Sequence, residues 1–416
     1  MHCFYIKSGQ TAMYLTILWL ALFGLVLGAP KPNSDGKTTE INFLMNNVQP
    51  TVEDSYLCTP MKMNSTPTYI VGFKPHANMK IAHHMLLYGC STPGRNAEVW
   101  NCGEMSHVTS KYDSAGVCGS GSQIVYAWAM DAPSLTLPPD VAFKVGGNTG
   151  IKYLVLQVHY KDVSSFLPPQ NGHDSSGITL VTTDKPSPKT AGVYLLGTAG
   201  SIPAHSIEYM ETECLYTGQQ ELHPFAFRTH THTHGEVVSG YRIRDGKWTE
   251  IGRMSPKKPQ MFYNATTQDL VIKPGDILAA RCTMKNDGDK KIYIGATQND
   301  EMCNFYMMYY VNGEDVYSHG GCWASGPPYN YWQTSKDAQK MHLENAPKSA
   351  SIVPGTQNVL VKQHDRTKSI RNEDNFLDRL DNWKLQTRKN DVKRLLDTLN
   401  RAYDEPAYPL YDNTVF

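Results

Sequence analysis

The sequence predicts an all-β protein: two β-sandwich, jelly-roll-like domains followed by a helical C-terminal tail. Three observations predict it. Short segments rich in Val, Ile, Tyr, Phe and Thr recur between turn residues. Long helical periodicity is missing until about residue 370. The cysteines beyond the N-terminus fall into two groups of four.

The expected strands run, in order, over Thr68–Phe73, Ile124–Met130, Ala142–Val145, Tyr153–His159, Ile178–Thr183 and Val193–Leu196. They continue over Phe225–His234, Glu236–Ile243, Ile277–Cys282 and Asn304–Tyr310. Pro274-Gly275-Asp276 and Asn286-Asp287-Gly288-Asp289 are turn signals. The segment Asp184–Ala191, with two prolines, is the expected linker, which places a first domain over 40–185 and a second over 190–335. A Ser/Pro/Gly-containing spacer (347–356) opens a tail over 345–416. There Phe376, Leu380, Trp383, Val392, Leu395, Leu396 and Leu399 recur at helical spacing among charges.

Composition excludes some partners. The chain has 416 residues, 39 Lys+Arg against 39 Asp+Glu and no net formal charge. No basic surplus points to nucleic acid. Residues 1–29 hold an apolar run ending in small residues, the pattern of a secretory signal peptide, with an uncleaved signal anchor as the alternative. Of nine cysteines, Cys3 lies in that segment. The even remainder, Cys58, Cys90, Cys102, Cys118, Cys214, Cys282, Cys303 and Cys322, implies disulfides of an exported chain. Asn64 and Asn264 begin glycosylation sequons. The expected location is the secretory granule lumen or the outside of the cell.

Function must therefore be argued from sites. In Thr229-His230-Thr231-His232-Thr233-His234 every second residue is histidine, between β-branched threonines. On a strand these three imidazoles share one face, which suits a transition metal. Arg228 projects from the same face. His83-His84 are adjacent, so both can serve one metal only at a bend, bulge or strand end. His159 closes a strongly apolar strand, and Met302 offers a thioether beside Cys303. Imidazole with thioether favours copper, and no helical H-E-x-x-H or C-x-x-C pair points to zinc.

At these residues the chain closely resembles the peptidylglycine α-hydroxylating monooxygenases, copper enzymes of peptide C-terminal amidation. The blocks that carry the resemblance are Tyr56-Leu57-Cys58, His83 to Leu87, Tyr126 to Ala129, Leu156 to Tyr160, His230 to His232, Val237 to Arg242, Asp276 to Cys282 and Asp300 to Asn304. They run in order from about residue 50 to 325. The resemblance implies two copper ions. His83, His84 and His159 would hold the electron-transferring one. His230, His232 and Met302 would hold the oxygen-activating one. Arg228, Asn304 and Tyr306 would grip the peptide carboxylate, and Gln157 would support the first site. His234 is then a solvent-side neighbour or a competing ligand.

The resemblance also implies the pairing Cys58–Cys102, Cys90–Cys118, Cys214–Cys322 and Cys282–Cys303; one further bridge of the vertebrate pattern has no counterpart near Asp174-Ser175-Ser176. The implied reaction hydroxylates the α-carbon of a C-terminal glycine, using O2 and ascorbate. The implied partners are glycine-extended peptides and a separate peptidyl-hydroxyglycine lyase, with a monofunctional hydroxylase on this chain. The rivals are a dopamine β-hydroxylase-like monooxygenase and a non-catalytic secreted copper-binding protein.

Overall fold

The computed structural model describes residues 37–103, 111–295, 297, 299–313 and 320–364. The N-terminal apolar segment with Cys3 and the amphipathic part of the tail lie outside the described residues. The described residues from Thr38 on form one compact unit.

Almost every described element is a strand, and the sheets explain the sequence pattern. A ten-stranded sheet runs through both halves of the chain. Its main path is Thr39–Leu44, Gly177–Thr183, Pro67–His76, Val141–Gly146, Lys189–Thr198, Asn304–Asn312, His223–His230, Tyr263–Asn264. The halves join where Val141 and Ala142 pair in parallel with Lys189 and Thr190. The first-half strands of this sheet are covered by a five-stranded sheet: Trp100–Asn101, Ser55–Lys62, Tyr153–Tyr160, His84–Cys90, Gln123–Ala129. The second-half strands are covered by another: Lys247–Met254, Gly235–Arg244, Ile277–Asn286, Ser206–Leu215, Gln363–His364.

The second-half strands of the large sheet are buried on both faces. Val193, Leu195, Ala226, Tyr306 and Met308 join the apolar cluster of the first half. Their neighbours Tyr194, Leu196, Phe227, Phe305, Met307 and Tyr309 join the cluster of the second. Alternate side chains of one strand point to opposite faces, so a strand between two cores reads as a continuous apolar run. That is why Asn304–Asn312 carries Phe, Tyr and Met without polar alternation.

Three expectations need correction. The strand expected over Phe225–His234 ends at His230, and 231–234 form a tight turn into Gly235–Arg244. Within the linker, Lys189–Ala191 already belong to the long strand. In the spacer 347–356, Ala350 and Ser351 are buried against the outer sheet of the second half, where Ser351 Oγ meets Arg281 and Thr283. The spacer is therefore a packed strap, which opens with one 3-10 turn at Lys348–Ser351.

Among the described residues four disulfides are present: Cys58–Cys102, Cys90–Cys118, Cys214–Cys322 and Cys282–Cys303, the pairing the resemblance implies. Such bridges belong to an oxidising compartment. Asn64 and Asn264 are both exposed. No described helix is long and apolar enough to cross a membrane.

Candidate metal centre and anion clamp

Strand pairing assembles the first histidine set. His159, on Tyr153–Tyr160, pairs with His84 on one side and Tyr56 on the other. His84 is the first residue of its strand and His83 lies just before it. The strand end thus lets adjacent residues turn to one point. His159 Nδ1 lies 3.3 Å from His83 Nδ1 and 3.4 Å from His84 Nδ1. Metal–imidazole bonds of about 2.0–2.1 Å place three ligand nitrogens roughly 3.3–3.6 Å apart, so this spacing fits one ion. Among the described residues these three form the one cluster of histidine, cysteine and carboxylate groups with such convergence.

Burial keeps the set in its ligand form. Desolvation, with the neighbouring imidazoles adding to it, pushes the His83 pKa down to about 3 and His84 well below its usual value. His159 is lowered too, first by burial, against the opposing pull of Asp54. All three are therefore neutral at physiological pH, as metal binding requires. Behind them, Tyr56 stacks on His159 with ring centroids 4.1 Å apart. Gln157 reaches the Cys102 carbonyl and sulfur, so it braces the disulfide beneath the site.

The second set is built on the last residues of His223–His230 and the turn after it. Arg228 pairs with Tyr306 and His230 with Asn304 across the ladder. Each ring nitrogen is assigned by its partner. The Gln260 side-chain N–H groups donate to the carbonyls of Thr231 and Pro256, so its Oε1 faces the His230 Nδ1–H. His232 Nδ1–H donates to the Asp300 carbonyl at 3.0 Å. Both Nε2 atoms are left as lone pairs. His232 Nε2 is buried with no hydrogen-bond partner among the described residues, which leaves its lone pair available to a metal. Burial, then the Arg228 charge, holds His230 well below its ordinary pKa.

Glu301 organises the turn. Its carboxylate is fully buried and accepts the backbone N–H groups of His232, His234 and Met302. Gly235 closes the turn where an added Cβ would sit 2.1 Å from Thr231 Oγ1. His230 and His232 stay together, ring centroids 5.5 Å apart, while His234 turns its Nδ1 to the Lys285 carbonyl. His234 therefore stands apart from that pair. Met302 shares Glu301 with His232 through its backbone. Its sulfur lies 4.0 Å from Asn304 Nδ2, and its side chain packs against the cluster that holds Tyr56.

The two sets face each other: His84 and His230 rings are 5.6 Å apart, His83 and His232 rings 6.1 Å. Beside them Arg228 is only 2% exposed. It donates to the Gln260 carbonyl at 2.8 Å and lies over the Tyr306 ring at 5.1 Å. Among the described residues no carboxylate pairs with it.

Residues 41–166 match the profile of the N-terminal domain of copper type II ascorbate-dependent monooxygenases, and residues 189–335 match that of the C-terminal domain. The chain belongs to the copper type II, ascorbate-dependent monooxygenase family. Within that family it is 43% identical over 302 residues to peptidyl-glycine alpha-amidating monooxygenase B of Xenopus laevis, covering 71% of this chain and 32% of that protein. To the Mus musculus peptidyl-glycine alpha-amidating monooxygenase it is 40% identical, covering 71% and 29%. Human dopamine beta-hydroxylase is 27% identical, over 68% and 47%. The chain thus spans about a third of the length of the amidating monooxygenases it matches.

Asp54, Gln260 and Glu301 were not foreseen in the sequence. Glu301 had one signal, a carboxylate directly before Met302. Asp54 and Gln260 are ordinary surface-type residues there, and only the fold brings them under the histidines.

Proposed function

We propose that this monooxygenase hydroxylates the α-carbon of C-terminal glycine in peptides, the first step of C-terminal amidation. One observation carries the substrate class: Arg228 is a buried guanidinium without a carboxylate partner among the described residues, in register with the second histidine set. An unpaired buried charge is costly, and a guanidinium grips a carboxylate through two parallel hydrogen bonds. A peptide C-terminus supplies that anion. An amine substrate would set a second cation beside the first.

Two copper ions fit the donors. His83, His84 and His159 would hold one through Nδ1. His230 and His232 would hold the other through Nε2, completed by Met302, whose soft sulfur favours the reduced ion. Bound copper would supply one-electron transfer and O2 reduction, with ascorbate as the electron source. One oxygen atom enters the glycine and the other leaves as water, with two electrons consumed. Arg228, Asn304 and Tyr306 hold the carboxylate, which brings the adjacent α-carbon to the His230–Asn304 pair. All four of these residues are shut from solvent, so peptide entry requires the facing surfaces to part.

The halves divided at about residues 184–188 would form the two copper domains. The hydroxyglycine product would pass to a lyase, and the secretory granule lumen is the proposed location. The test is mass spectrometry of a glycine-extended peptide after incubation with the copper-loaded protein, ascorbate and O2. A gain of one oxygen on the terminal residue is expected, with two copper ions per chain by metal analysis. An unaltered peptide, or a chain that binds one ion, refutes the reading.

A further inference from the structure

Of the three histidines in the first set, only His159 has a carboxylate behind it among the described residues. Its Nε2 lies 3.1 Å from Asp54 Oδ1. Both partners are buried: the imidazole is fully enclosed and Asp54 is 9% exposed. The chain takes a left-handed turn at Asp54 (φ 55°) on its way into the strand Ser55–Lys62, with the Asp54 N–H directed to the Lys161 carbonyl. Two residues on, Tyr56 stacks flat against His159, with an interplanar angle of 7°. The start of one strand therefore fixes the plane of the ring and the proton on its far nitrogen.

We infer that Asp54 is the positioning residue of the three-histidine site, where it fixes His159 as the Nε2–H tautomer and tunes the affinity of the site for oxidised over reduced copper. This rests on the proposed copper reading of His83, His84 and His159. A carboxylate that accepts the N–H of a ligand imidazole orients the ring and raises its basicity. A more basic, partly anionic donor stabilises the ion of higher charge. The site then gives up its electron more readily, which suits the role of electron donor. Among the described residues His83 and His84 have no such carboxylate, and they form the adaptable side of the site.

The experiment uses the whole chain, loaded with copper, with two variants. Asp54→Asn keeps an acceptor of the same shape without the charge. It should retain copper but lower the preference for Cu(II) over Cu(I) about tenfold, a rise of about 59 mV in the potential of that site. Asp54→Ala should weaken copper binding at the three-histidine site by roughly 10- to 100-fold in a chelator competition, leaving the second site loaded. A residue that served folding alone would shift neither the potential nor the affinity of one site selectively. Wild-type potential and affinity in Asp54→Asn overturn the inference while the copper reading stands. If His159→Ala removes no copper from the wild-type protein, the copper reading fails, and this inference with it.

Discussion

Arg228→Met removes the guanidinium and keeps most of its apolar bulk. In the structure Arg228 meets the Gln260 carbonyl at 2.8 Å and the Tyr306 ring at 5.1 Å, and no acid among the described residues. A charge-assisted hydrogen bond to a substrate carboxylate contributes about 1.5–3 kcal/mol. Its loss should lower kcat/KM for a glycine-extended peptide about 10- to 150-fold, at 1.36 kcal/mol per factor of ten. The effect on folding has the opposite sense. Replacing a buried, unpaired charge with an apolar side chain is often neutral or stabilising, so thermal stability should hold or rise. Arg228→Lys keeps charge without the planar fork and should fall between. The assay is initial-rate O2 uptake against peptide concentration, with thermal unfolding on the same samples. An unchanged kcat/KM refutes the clamp. A large loss of stability with intact kinetics would instead make Arg228 a structural residue.

Three further outcomes are expected. Glu301→Gln leaves backbone N–H groups of His232, His234 or Met302 facing an amide. It should cost about 2–3 kcal/mol in thermal unfolding and drop bound copper from two ions to one; full stability with both ions retained would remove Glu301 from its organising role. Gly240→Ala places a Cβ 2.2 Å from Phe305 Cε1, between the central sheet and its cover. Overpacking of that kind costs about 1–3 kcal/mol, and a wild-type unfolding midpoint in denaturant would show the contact to be slack. Burial, then Glu211 and Asp337, pushes the Glu213 carboxyl up to about 7 from 4.5. The folded state then holds a proton that the unfolded chain releases above 4.5, so stability should decline as pH rises from about 4.5 to 7 and level off beyond. Because the side chain is partly exposed, the total is of order 1 kcal/mol after screening. Glu213→Gln should flatten the slope in that window, and an identical slope in the variant contradicts the assignment.

The strand pattern was legible because alternation and β-branched runs are local properties. Strands with polar or mixed composition were not. Ser206–Leu215, with three glutamates, and Lys247–Met254 carry little apolar periodicity, and their sheet neighbours specify them. Adjacent His83 and His84 were readable as a strand-end pair only conditionally; the strand beginning at His84 satisfies the condition. The disulfide pairing could not be chosen from eight positions by spacing and came from the family resemblance.

The sequence by itself determined the residue types at the metal centre, the copper preference of imidazole with thioether, the all-β class and the oxidising compartment. Each is encoded in a few neighbouring residues or in a count. Tertiary structure alone decided which nitrogen of His159, His230 and His232 is free, that His234 turns away, and that Arg228 is sealed without an acid among the described residues. Those outcomes depend on Asp54, 105 residues from His159, on Gln260, 30 from His230, and on Glu301, 69 from His232. A hydrogen bond between such distant groups exists only after the chain has closed on itself, so no local pattern can carry it.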